Sequence, residues 1–124
     1  MPPTTLLKLL VVDDHAGFRH TVRQMFDAST AKITEAASGE EAVKIFAAER
    51  PDRVIMDMRM PGMGGISATQ AIRQLDGQAR VIVISQFTEA EYREQAQRAG
   101  AVEFLDKEDM SRLVEIIRGQ RPQP

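Results

Sequence analysis

Short apolar runs recur along the chain, with amphipathic stretches of helical length between them. The first run is Leu6-Leu7-Lys8-Leu9-Leu10-Val11-Val12. Val54-Ile55-Met56, Val81-Ile82-Val83-Ile84 and Val102-Glu103-Phe104-Leu105 follow, with a weaker run at Ala31-Lys32-Ile33-Thr34. Near-continuous runs, rather than strict alternation, predict strands buried on both faces, as in a parallel sheet.

The intervening stretches carry the helical period. Phe18, Val22, Met25 and Phe26 share one face, as do Ala42, Ile45 and Phe46. Ile66, Ile72 and Leu75 do so less tidily, and Met110, Leu113, Val114 and Ile117 close the series. Ser38-Gly39-Glu40-Glu41 and Thr88-Glu89-Ala90-Glu91 have capping-box form and predict helix starts. Gly100, after Arg98-Ala99, predicts a helix end, and Pro61-Gly62-Met63-Gly64-Gly65 predicts a loop. Strand and helix thus alternate five times, which predicts an α/β fold with helices on both faces of a parallel sheet.

Composition narrows the class. A chain of 124 residues is one domain long, and 43% hydrophobic with 27% charged residues is an ordinary globular balance. Sixteen basic and eighteen acidic residues leave a net charge of −2, which argues against a dedicated nucleic-acid binder. Cysteine is absent, excluding disulfides and thiol nucleophiles and remaining compatible with a cytoplasmic location. No apolar run approaches the length of a membrane span. Residues 1–5, Met1-Pro2-Pro3-Thr4-Thr5, lack the basic start of a signal peptide and read as an N-terminal tail before a domain at 6–118. Residues 119–124 read as a C-terminal tail or the start of a linker. The seven methionines read as core and loop filler.

The chemistry lies just past the strands. Asp13 and Asp14 follow the first, Asp57 the third and Ser85 the fourth, with Lys107 beyond the fifth. In open α/β sheets ligands bind outside the carboxyl ends of the strands, at the switch in strand order. With the order 2-1-3-4-5, the three carboxylates converge in one crevice. They would repel one another unless a cation intervened, and an all-oxygen donor set favours Mg²⁺. A Lys and a Ser facing that cluster fit a further anion, a phosphoryl group above all. Taken singly, Asp14 could be a helix cap, Ser85 a turn residue and Lys107 a solvated charge. Asp57 has no obvious capping role.

With these residues the chain resembles the receiver domain of bacterial two-component response regulators. The matching stretches are Leu10-Val11-Val12-Asp13-Asp14-His15, then Val54 through Gly65, Val83-Ile84-Ser85, and Ala99 through Lys107. His15 and the Met-Pro-Gly-Met-Gly-Gly loop look most like the NarL/FixJ-type subgroup. The resemblance implies a flavodoxin-like, doubly wound (βα)5 fold. It implies that Asp57 accepts a phosphoryl group from a sensor histidine kinase or a small phosphodonor. Asp13, Asp14, Asp57 and the carbonyl of Arg59 would hold Mg²⁺, with Asp13 acting through water. Lys107 and Ser85 would meet the phosphoryl oxygens, and Phe104 would follow Ser85 inward as the aromatic switch. The output, transcription in this subgroup, would be controlled through a changed surface on the fourth helix, fifth strand and fifth helix, a face that could also pair two copies. The domain would be no enzyme beyond its own phosphorylation and dephosphorylation, and would itself touch neither nucleic acid nor membrane.

Three positions depart from the family pattern. Glu108 stands where Pro usually follows the lysine, so a trans bond is expected there. Gln86 replaces a small residue beside the phosphoryl site, and Phe104 lacks the hydroxyl of the commoner Tyr. Arg59 and Phe87 are expected to flank the approach of hydrolytic water, Arg59 pairing with the phosphoryl group or with Glu89. His15 and His20 read as surface or packing residues. Two rival readings remain: an Mg²⁺-dependent phosphohydrolase with an Asp nucleophile, which would want a second Asp where Arg59 stands, and a receiver-like binding module that is never phosphorylated.

Overall fold

The computed structural model describes residues 6–119. Ten elements alternate as expected: β1 (Leu7–Val12), α1 (Ala16–Gln24), β2 (Ala31–Ala36), α2 (Gly39–Glu49), β3 (Arg53–Asp57), α3 (Gly65–Leu75), β4 (Val81–Ser85), α4 (Ala90–Ala99), β5 (Glu103–Asp106) and α5 (Leu113–Gly119). A 3-10 turn at Met110–Arg112 leads into α5. The strands form one parallel sheet in the order β2-β1-β3-β4-β5. The two terminal tails, 1–5 and 120–124, lie outside the described residues, and Gly119 closes α5 rather than opening the tail. No helix among the described residues is long and apolar enough to cross a membrane.

The apolar runs work because the central strands bury both faces. Leu10, Val12, Val54, Met56, Val81 and Val83 point into one core layer, where Ala42 and Phe46 of α2, Ala68 and Ile72 of α3, and Ala96 of α4 cover them. Leu9, Val11, Ile55, Ile82, Ile84 and Leu105 point the other way, onto Val22 of α1 and Leu113 and Ile117 of α5. Met56, Met58 and Met60 are buried, as core filler should be.

Helix ends follow the sequence unevenly. The Ser38 hydroxyl accepts from the Glu41 N–H at 3.1 Å, while the Glu41 carboxylate takes the Ala37 N–H instead of closing the box on Ser38. Thr88 is not a cap: α4 starts after Glu89 with no side-chain capping bond. Gly100 ends α4 with φ +103°, as expected of a left-handed closing residue. Helix α1 stops at Gln24, so Met25 and Phe26 pack on the core from beyond its end. Leu75, read as part of an apolar face, is the last residue of α3 and is exposed.

Candidate functional site

Register sets the geometry of the site. Val12 of β1 pairs with Met56 of β3, so Asp13 and Asp57 emerge level with each other at the switch in strand order. Asp57 pairs with Ile84, and Ser85 extends one residue further on β4. Lys107 is tied to that strand end, its N–H donating to the Ser85 carbonyl at 2.8 Å. Gly65 makes the arrangement compact. Its N–H donates to the Met58 carbonyl at 2.9 Å, and a Cβ there would collide with the Asp57 carbonyl.

The expected carboxylates and cation meet. Asp13, Asp57 and Ser85 are buried, and Asp14 is partly exposed. The Lys107 ammonium lies 2.8 Å from Asp13 Oδ2 and 3.6 Å from Asp57 Oδ2. The nearer contact is a tight ion pair that engages Asp13 Oδ2. Asp14 Oδ1 is buried, with His15 Nδ1 as its neighbour at 3.2 Å. Asp14 does not cap α1, whose capping position belongs to His15. Burial, reinforced by the charge of Asp13, raises the Asp57 pKa from 3.8 to about 6, against the opposing pull of Lys107. Burial works against charge on Lys107, but its contacts with Asp13 and Asp57 prevail and its pKa rises.

Ligand atoms of Asp13, Asp14 and His15 lie within 4.8 Å of one another. Three crowded carboxylates, Asp13, Asp14 and Asp57, with a single ammonium among them, suit a hard divalent cation. The sequence reading set His15 aside, yet its N–H donates to Asp13 Oδ1 at 2.8 Å and its ring borders the crevice. Phe18, read only as core, places its ring 4.5 Å from the Lys107 ammonium. Its position one turn into the helix after Asp13-Asp14 was the available signal.

A cavity of about 100 Å³ is lined by His15, Asp57, Arg59, Ser85, Gln86, Phe87 and Lys107. The Ser85 hydroxyl accepts the Phe87 N–H at 2.9 Å, and its own O–H donates to no protein acceptor among the described residues. Arg59 does not pair with Glu89. Its guanidinium stacks on Phe87 at 4.4 Å and on Tyr92 at 5.4 Å, and donates to the Tyr92 hydroxyl at 3.1 Å. Phe104 sits away from this cavity, half-buried on β5 against α4, with the Arg93 guanidinium 4.9 Å over its ring. The Lys107–Glu108 peptide is trans, and the Glu108 N–H is taken by Asp106 Oδ1 at 2.9 Å.

Known proteins resemble this chain in sequence and fold. The response regulator receiver domain model matches residues 9–118. Sporulation initiation phosphotransferase F of Bacillus subtilis is 30% identical, over 93% of this chain and 94% of its own. The response regulator UvrY of Escherichia coli is 35% identical over 94% of this chain, which spans only 56% of UvrY. Among solved structures, the signal receiver domain of NarL from Mycobacterium tuberculosis superposes with a TM-score of 0.83 at 30% identity, covering 94% of this chain and 98% of that one. With the 2-1-3-4-5 sheet and the acidic crevice at its switch point, these matches establish that the chain belongs to the receiver domain family of two-component response regulators.

Proposed function

We propose that Asp57 is the phosphoacceptor of this receiver domain. One observation carries the reading: a buried carboxylate with a raised pKa, level with Asp13 and facing the Lys107 ammonium, opens into a cavity the size of a phosphoryl group. An Asp57 carboxylate oxygen attacks the phosphorus of a phosphohistidine or acyl phosphate. The new O–P bond forms as the donor's N–P or O–P bond breaks, and the donor leaves with the electron pair.

Asp13, Asp14, Asp57 and the Arg59 carbonyl are the residues to hold Mg²⁺, which supplies positive charge to offset the carboxylates and the phosphoryl oxygens. Lys107 then exchanges part of its contact with Asp57 for a phosphoryl oxygen. Ser85 turns its free O–H toward another, which draws the Phe87 backbone with it. Phe104 moves into the space vacated on the Ser85 side, altering the surface of α4, β5 and α5. That surface is the one to bind an output partner or a second copy, and a cognate histidine kinase is the natural donor. In this reading the output is transcriptional, the location cytoplasmic, and the only chemistry catalysed is the domain's own phosphorylation and hydrolysis.

Arg59, stacked on Phe87 and Tyr92, roofs the solvent side of the cavity and slows the approach of hydrolytic water. The test is incubation with acetyl phosphate and Mg²⁺ followed by intact mass. Wild type gains one phosphoryl mass and Asp57→Asn does not. Equal gain in the variant overturns the assignment.

A further inference from the structure

At the opposite end of the sheet lies a second cavity, about 800 Å³ in volume, beside the start of β3, the end of α3 and the turn before β4. Arg50, Arg53, Arg73 and Arg80 line it, together with Asp52 and Asp76. The two acids are already engaged. Asp52 Oδ2 accepts the Lys8 N–H at 2.7 Å. Asp76 Oδ1 accepts the Gln78 N–H at 2.9 Å, and its other oxygen stands 4.0 Å from Arg50. Among the described residues, no carboxylate oxygen lies within ion-pair distance of Arg53, Arg73 or Arg80.

Arg53 is the unusual member. It is 4% exposed, donates once to the Asp52 carbonyl at 2.8 Å, and has no acceptor for Nε. Burial, with the neighbouring Arg80 charge, pulls its pKa down against the opposing charge of Asp52, though a guanidinium remains protonated throughout the physiological range. A buried cation with an unused donor beside a second cation is costly unless an anion joins it. Gly100 keeps room for the third guanidinium: a Cβ there would stand 2.8 Å from Arg73 Nε.

Planar guanidinium forks match phosphate oxygens two at a time. Three such forks reach more oxygen atoms than one phosphate offers, so a pair of linked phosphoryl groups fits them better. The volume falls within the range of about 300–1,000 Å³ usual for small-molecule sites. Val102, 42% exposed, supplies an apolar wall. We propose that this cavity binds a small diphosphate-bearing anion, free or attached to a nucleoside, through Arg53, Arg73 and Arg80. The site is independent of Asp57 phosphorylation.

Calorimetric titration of the metal-free chain with sodium pyrophosphate, then with ADP, tests it. Saturable one-to-one binding that weakens with added salt is expected. Arg80→Ala and Arg73→Gln should each weaken it at least tenfold, and Arg80→Lys less. Arg98→Ala, an exposed arginine on α4 paired with Glu94, should bind as wild type does. Melting curves show that the variants fold, and Arg53 is left intact because it is buried. Tighter binding of ADP than of pyrophosphate, lost in Val102→Ser, assigns a nucleoside source; equal binding assigns the free diphosphate. Absence of saturable binding, or unchanged affinity in Arg80→Ala and Arg73→Gln, overturns the proposal.

Discussion

The two ends of the sheet crowd charges of opposite sign, and β3 joins them, with Arg53 as its first residue and Asp57 as its last. At the carboxyl end the crowd is acidic and the fold provides its own counter-charge, Lys107, 2.8 Å from Asp13. At the amino end the crowd is basic, four arginines against Asp52 and Asp76, whose carboxylates also accept the backbone N–H groups of Lys8 and Gln78. A built-in cation leaves the acidic end partly compensated within the fold itself. The basic end keeps an excess of cations, since Arg53, Arg73 and Arg80 have no carboxylate within ion-pair distance among the described residues. Like charges are held together at both ends because strand register and burial leave them nowhere else to go.

Backbone packing should show the largest contrast. Gly65→Val drives a side chain into the Asp57 carbonyl and should cost about 3 kcal/mol or more, read as lost stability in urea melts. Gly100→Ala, at the basic end, meets a φ of +103° and the Arg73 side chain, and should cost about 1–3 kcal/mol. Equal costs would mean that the Asp57 carbonyl moves aside.

Titration should separate the ends next. The folded pKa of Asp57, about 6, exceeds its ordinary 3.8, so the folded state binds the proton more tightly. Its contribution to stability is fully present below about pH 4 and is lost as pH rises through 6. Without metal, wild type should lose on the order of 2–3 kcal/mol relative to Asp57→Asn between pH 4 and pH 7. Parallel stability curves for the two proteins would contradict the strained carboxylate.

Asp14→Asn removes one like charge from the acidic end and should stabilise the metal-free protein by about 1 kcal/mol, a rise of several degrees in Tm. It should also blunt the stabilisation that Mg²⁺ gives wild type. A lower metal-free Tm would assign Asp14 a structural role instead. Smallest of all, Arg59→Ala and Phe87→Ala should each shorten the phosphorylated half-life several-fold, about 1 kcal/mol of barrier, without preventing phosphorylation. Phosphate release after removal of the donor reads this directly, and unchanged decay in both variants removes the shielding role.

Most of the fold was legible because a doubly wound sheet writes itself as apolar runs: Leu9-Leu10-Val11-Val12 and Val81 through Ile84 bury alternate residues in two separate cores. The acidic crevice was legible for a related reason, since strand ends converge wherever the strand order switches. What the chain order hides is contact between distant segments. Arg59 meets Tyr92, thirty-three positions away, rather than the nearer expectation Glu89. Phe18 covers Lys107 from the far side of the sequence. Thr88 has the form of a cap, but α4 begins one residue later, after Glu89. Nothing in the order of the chain singles out Arg50, Arg53, Arg73 and Arg80, which β3, α3 and β4 bring round one cavity.

The central claim is that the phosphoryl group rests on Asp57. Treating the chain with acetyl phosphate and Mg²⁺, trapping the acyl phosphate by borohydride reduction and mapping the peptides locates it directly. The account predicts a reduced aspartate at position 57 alone, dependent on Mg²⁺. Reduction at Asp13 or Asp14, or a phosphoryl group found on His15, would contradict it.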